Sequence, residues 1–276
     1  MQCSTSYSRV STDLVHCRAT WPAGQRRAVS HNARAIIGRS VVRSDATAVK
    51  ERPRPGEKKG FVEEMRMAAM RLHTRDQAPK DGSRPEEKPE DQPVRQWTPS
   101  RAGYLRFLAE SKAVYDTLEQ IVEAAPKSEY AKFRNTGLER SAPLARDIQW
   151  LQKTYDLPSP EVSADGPGAE YASALKQLAA DDPAAFICHF YNFYFAHTAG
   201  GRMIGRKVAE VILDNKTLDF YQWDGEVKDK LAAVKDKINE LAETWTREQK
   251  DHCLEETNKS FQHSGAILRT ITASEE

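Results

Sequence analysis

Cysteine is scarce in this 276-residue chain: four are present, Cys3, Cys17, Cys188 and Cys253. Two stand near the start and two lie far apart in the body, a spacing that suits neither a zinc cluster nor a disulfide framework and implies a reducing compartment. Long apolar runs are missing as well. Nothing approaches the roughly 20 apolar residues of a membrane span, and no apolar core of a secretory signal is present. The chain has no Gly-rich phosphate loop, no nucleophile elbow, no metal-binding cysteine cluster and no HExxH sequence, so nucleotide-driven and hydrolytic chemistry finds no support. No stacked aromatic and basic surface argues for nucleic acid. Strand-like alternation is nearly absent, and there is neither an internal repeat nor a coiled-coil register.

What is present is unevenly distributed. Residues 1–50 carry eight Lys and Arg against two acids, Asp13 and Asp45, so a chain of net charge +1 has a basic head of +6 on a body of −5. The head is rich in Ser, Ala, Thr and Arg with scattered apolar residues, the composition of an organelle transit peptide, although a disordered basic tail is also compatible with it. From about Gly60 the apolar spacing turns helical through Val62, Met65, Ala69 and Leu72. A charged, Pro-rich stretch over 76–97 buries too little apolar surface to order itself and reads as a flexible loop. Thr98-Pro99 reads as a helix start, with Tyr104, Phe107, Leu108, Val114, Leu118 and Val122 on the apolar face behind it. Further helices are expected over 128–134 and 138–155, near Glu170 and from Pro183, with Trp223 in a packed connection and a capping box, Thr246 to Gln249, opening the last helix. The expectation is all-α: residues 1–55 as a disordered extension and 56–276 as one helical domain.

Two constellations could carry chemistry. Arg66 and His73 are seven apart, which returns them to within about 20° of one helix face and about 10 Å along it. A flat ligand could be held there at its centre by imidazole and at an anionic rim by guanidinium, as heme could with its iron and propionates. A structural histidine beside a solvated arginine fits the same spacing. The second constellation is Gly200-Gly201, which follows a run apolar nearly all round, Phe186 to Phe195, before the helical pattern returns at Ile204. Two helical glycines invite a kink and let bare backbone approach a ligand, although an interhelical loop would also use them.

At this point the strings themselves are informative. EEMRMAAMRLHTRDQA (63–78), FRNTGLERSAPLARDI (133–148), HFYNFYFAHTAGGRMIGRKVAE (189–210) and WTREQKDHCLEETNKSF (245–261) resemble plant and algal heme oxygenases over nearly the whole body. The resemblance implies a helical heme-oxygenase-like domain with heme as substrate and prosthetic group. It implies cleavage of heme to biliverdin, carbon monoxide and ferrous iron, in the plastid stroma, with electrons from ferredoxin. It assigns His73 as axial ligand to the heme iron. It assigns Arg66, Tyr191 and Lys237, with Lys235 beside it, as further heme contacts, and Gly200, Gly201 and His197 as the catalytic distal set. Arg202, Arg206 and Lys207 are candidates for docking the acidic ferredoxin. A bilin reductase is a downstream partner, and the expected state is a monomer without nucleic-acid or membrane association. The competing reading is a non-catalytic heme- or bilin-binding protein on the same scaffold.

Overall fold

The computed structural model describes residues 60–72, 98–160 and 162–272; the 1–55 extension, the 76–97 loop and His73 lie outside the described residues. Within them every regular element is helical and no strand is present. The α-helices are α1 (Phe61–Leu72), α2 (Arg101–Ala124), α3 (Ser141–Tyr155), α4 (Pro167–Asp181), α5 (Pro183–Ala196), α6 (Arg202–Ile212), α7 (Val227–Ala242) and α8 (Arg247–Arg269). Short 3₁₀ turns stand at Ser128–Phe133, Asp219–Tyr221 and Thr270–Thr272, and a π-turn, His197–Gly201, joins α5 to α6.

The starts follow local chemistry. Ser100, not Thr98, caps α2, accepting from the Gly103 N–H, so Pro99 sits before the helix instead of at its first position. The 138–155 helix begins only at Ser141, because Glu119 of α2 takes the Arg140 and Ser141 amides on one carboxylate oxygen at 2.7 and 3.0 Å. Asp182 caps α5 ahead of Pro183, and the Thr246–Gln249 capping box is formed.

Helix α5 is the centre of the fold. It packs on α8 and α4, while α2 covers α3 and α4. Phe186, Ile187, Cys188, Phe190, Tyr191 and Tyr194 are all buried, as a helix apolar around its circumference requires. Its polar residues are paired. His189 donates from Nε2 to Glu256 at 3.2 Å, accepts at Nδ1 from the Tyr171 hydroxyl at 2.9 Å, and so ties α5 to α8 and α4. Burial keeps that imidazole neutral, its pKa lowered, while Lys259 and His189 hold the Glu256 carboxylate ionised.

Helix α1 is fastened through its first half. The Val62 amide donates to Asn239 at 2.9 Å, Arg247 pairs with Glu64 at 2.9 Å, and Phe61 meets the Trp245 ring edge-on at 5.6 Å. Its second half loses that cover, and Met70 and Leu72 are exposed.

The 3₁₀ turn Asp219–Tyr221 lies against α6 so closely that a Cβ on Gly205 would fall 2.3 Å from the Tyr221 ring. The other side of Tyr221 is fixed by a 2.9 Å hydroxyl–hydroxyl bond to Tyr104 of α2. Gly205→Ala should therefore cost about 1–3 kcal/mol by overpacking, despite alanine's better helix propensity. Urea unfolding of the two proteins checks it, and an unchanged midpoint would show that the ring yields freely.

Candidate functional site

Three helices contribute to a strip of aromatic and cationic side chains. Tyr191 of α5 is buried, with its ring 4.4 Å from Phe195 and tilted by 33°. The Lys235 ammonium of α7 stands 5.6 Å from the Phe195 ring centre. Burial pushes the Tyr191 phenol up to about 12, with the Arg66 charge of α1 opposing that rise. Tyr191 and Arg66 therefore share one electrostatic environment, and Arg66 itself is held by Glu63 through two bonds of 2.9 and 2.7 Å. Lys237 is not brought to this strip. Two residues on from Lys235 it is turned about 200° round the helix, on the flank towards Lys230 and Glu240, whose partners are the 128–137 segment. Of the two lysines read from sequence, Lys235 reaches the aromatic pair.

The second wall is the π-turn. His197 heads it, and its ring is turned into the protein, stacked on Phe220 at 3.9 Å and 20°, with Tyr115, Tyr221 and Trp223 around it. Its Nε2–H donates to the Phe220 carbonyl at 2.8 Å. Burial, reinforced by the nearby Arg140 and Arg202 charges, lowers its pKa to about 3. The ring is thus a neutral Nε2–H tautomer across the physiological range, its one proton engaged by a main-chain carbonyl. That geometry fits a fastening role better than proton donation from the side chain.

Gly200 and Gly201 have no left-handed φ, so neither needs glycine for its backbone conformation. They need it for space, in different ways. A Cβ on Gly201 would lie 3.0 Å from His197 Nδ1, whereas a Cβ on Gly200 would meet nothing within 4 Å. Gly200 is exposed, and so are Ala199 before it and Met203 after it, the last at 68%. The turn therefore presents small residues and a large apolar side chain to open space. Arg202, Arg206 and Lys207 are exposed on the following helix, Lys207 being 3.5 Å from Glu210. Among the described residues no helix is long and apolar enough to cross a membrane, and no group of three or more His, Cys, Asp or Glu could hold a bare metal ion. An iron brought in by a porphyrin needs only one protein ligand; α1 ends at the residue before His73.

Residues 94–270 match the family model for heme oxygenase. The chain belongs to the heme oxygenase family. It is 57% identical over 233 residues to "Heme oxygenase 1, chloroplastic" of Arabidopsis thaliana, covering 84% of this chain and 81% of the relative. A more distant Arabidopsis relative, "Probable inactive heme oxygenase 2, chloroplastic", is 40% identical over 79% of this chain and 76% of its own. Among solved structures, heme oxygenase-1 from the cyanobacterium Synechocystis in complex with heme superposes with a TM-score of 0.61 at 15% identity, over 76% of this chain and 91% of the other. The all-helical architecture expected from sequence is that of the heme oxygenase fold.

Sequence reasoning missed two polar residues of this heme oxygenase. Asp147 lies on the buried face of α3 between Leu144 and Leu151, and its two oxygens accept the Asp219 and Phe220 amides at 3.0 and 2.7 Å. Arg140, buried at the head of α3, donates from Nη1 to the Gln222 carbonyl at 2.5 Å and to that of Phe220 at 3.4 Å. The available signal was a carboxylate at helical spacing on an otherwise apolar stripe.

The His197 shift has a defined sign. An unfolded histidine titrates near 6.5, so between about pH 6.5 and 3 the unfolded chain binds the extra proton and acid removes stability. His197→Gln should flatten the loss of unfolding free energy between about pH 6.5 and 4. Nitrogen NMR of the apoprotein should find His197 as the Nε2–H tautomer throughout about pH 5 to 8. A ring that titrates near 6.5 would show that the imidazole is not held as described.

Proposed function

We propose that this heme oxygenase cleaves heme to biliverdin, carbon monoxide and ferrous iron, using dioxygen and electrons from ferredoxin, in the chloroplast stroma. The observation that carries the reading is the unfilled side of Gly200: just beyond a helix packed on nearly every face, a Cβ there would meet nothing within 4 Å. The fit is chemical as well as steric. A planar apolar macrocycle suits a face of Ala199, Gly200 and Met203, and its carboxylates suit the cationic strip of Arg66 and Lys235 beside Tyr191 and Phe195.

His73 would hold the iron, and neutral imidazole is a common axial ligand to it. The iron porphyrin supplies oxygen activation when bound and is also the carbon skeleton that is broken. The chain's own part is to orient and to exclude water. Arg66 and Lys235 fix the rim, and Tyr191 and Phe195 shield the edge. The Gly200–Gly201 backbone, free of side chains, would let the ring approach closely and would restrict how it sits. Protons would come through ordered water, since the His197 proton is engaged elsewhere. Arg202, Arg206 and Lys207, on the helix leaving the π-turn, suit an acidic electron carrier that docks close to the site. The 57% identity to a chloroplastic heme oxygenase 1, against 40% to a probable inactive relative, supports catalysis over a carrier role.

Gly200→Leu separates this reading from a purely structural one. The substituted protein should unfold at or above the parent's urea midpoint, because the side chain enters open space and leaves a helical glycine behind. Its hemin affinity should fall by at least about tenfold, roughly 1.4 kcal/mol. Hemin titration of the full chain followed by reduction with ferredoxin should consume the Soret band as bilin absorbance and carbon monoxide appear. Hemin bound equally well by parent and Gly200→Leu would move the site elsewhere, and loss of the band without bilin would remove the enzymatic claim.

A further inference from the structure

The one hydrogen bond of the His197 side chain runs to a short segment, Asp219–Tyr221, and that segment is itself gripped on both of its polar sides. Asp147 takes two consecutive amides, those of Asp219 and Phe220, one on each carboxylate oxygen. Arg140 takes carbonyls from the opposite side, including that of Phe220, at a position with no exposed alternative. The Phe220 carbonyl thus has both lone pairs in use, one by Arg140 Nη1 and one by His197 Nε2. The rings repeat the message: Phe220 stacks on His197, and Trp223, which follows the segment, lies 4.7 Å below the Arg140 guanidinium. None of these residues lies within 4 Å of where a Cβ on Gly200 would stand.

We infer that Asp147 and Arg140 are positioning residues for the distal backbone: they set the Phe220 carbonyl, the carbonyl sets His197, and His197 fixes where Gly200 and Gly201 sit. The inference rests on the reading that those glycines face the substrate, whereas the clamp is made of this chain's own side chains and backbone. A π-turn has weaker internal hydrogen bonding than the α-helix on either side, so its position depends on what grips it. Asp147 is an unusual residue to keep for packing alone, because burial drives its carboxyl up to about 6 against the pull of two amide donors. An anion retained at that cost, and aimed at two N–H groups, specifies a backbone position. The exposed Arg146–Asp219 ion pair, 2.8 Å long on the same segment, provides the control, since its bond is to the Asp219 side chain and not to the backbone that Asp147 and Arg140 hold.

The test uses the full chain in three forms, parent, Asp147→Asn and Arg146→Ala, with Arg140→Lys as a fourth that keeps the charge but loses the planar fork. In apoprotein, amide hydrogen exchange over 197–205 should quicken by roughly tenfold in Asp147→Asn and Arg140→Lys, the effect of leaving one buried amide or carbonyl unpartnered. Exchange in α2, α4 and α8 should stay within about twofold of the parent, and Arg146→Ala should match the parent throughout. With heme and reductant, Asp147→Asn should spread a single biliverdin isomer into a mixture while hemin affinity changes little. Unaltered exchange over 197–205, or quickening spread equally over all helices, would overturn the clamp. A local change in exchange with no bilin from any form, parent included, would leave the clamp standing and refute the enzymatic reading.

Discussion

One extra residue in a helical turn is the constraint to which this structure answers. Across His197–Gly201 the hydrogen-bond ladder slips by a residue, and the slip occurs where side chains are smallest, so the turn can neither rely on its own hydrogen bonds nor be packed from its open side. Everything that fixes it must come from the buried side. That side accordingly carries the most interlocked polar groups of the core, an imidazole on a carbonyl, a guanidinium on the same carbonyl, and a carboxylate on the neighbouring amides. Each is buried, and each would be costly unpaired. The cost of breaking any one of them is what makes the position of the bare turn unique.

The same constraint explains the character of α5. A helix that offers backbone to a ligand at its end needs an immobile body, and α5 is surrounded by α4 and α8 with Tyr171, His189 and Glu256 bonded in sequence across all three. The neutral His189 carries no net charge into the core, and the carboxylate it meets, Glu256, is answered by Lys259 at its margin. Around α5 rigidity is thus built largely from neutral donors, whereas the π-turn beyond it is gripped through a buried guanidinium and a buried carboxylate.

How much of this was legible in sequence depends on the range of the interaction. Local signals were readable: the apolar circumference of 186–195, the double glycine, the Thr246 capping box and the absence of strand patterns each reflect contacts within a few residues. Signals that depend on a distant partner were not. Thr98-Pro99 is as good a helix start as Ser100 until Ser100 is seen to reach the Gly103 amide, and only Glu119, on another helix, moves the start of α3 to Ser141. Lys235 and Lys237 are equivalent in composition, and the choice between them is made by where Phe195 ends up. His197 was read from sequence as one of the distal set, but its ring direction is set by Phe220, twenty-three residues away, and Asp147 mattered only once that turn had been folded against it.

The two walls of the site are therefore of different kinds. The π-turn is over-determined by buried neutral and charged groups, while the fastenings of α1 to Asn239, Arg247 and Trp245 all lie in its first half. Its rim charges are solvated, and the Arg66–Glu63 pair lies in one helix where ion pairs contribute only a few tenths of a kcal/mol. On the proposed reading, a ligand between them would meet a fixed template on one side and an adaptable one on the other. Its position relative to the backbone would follow the fixed wall, and its affinity how well the adaptable wall suits a flat ring with charged edges. A substrate would then be held at its rim while the atom that reacts is chosen by geometry.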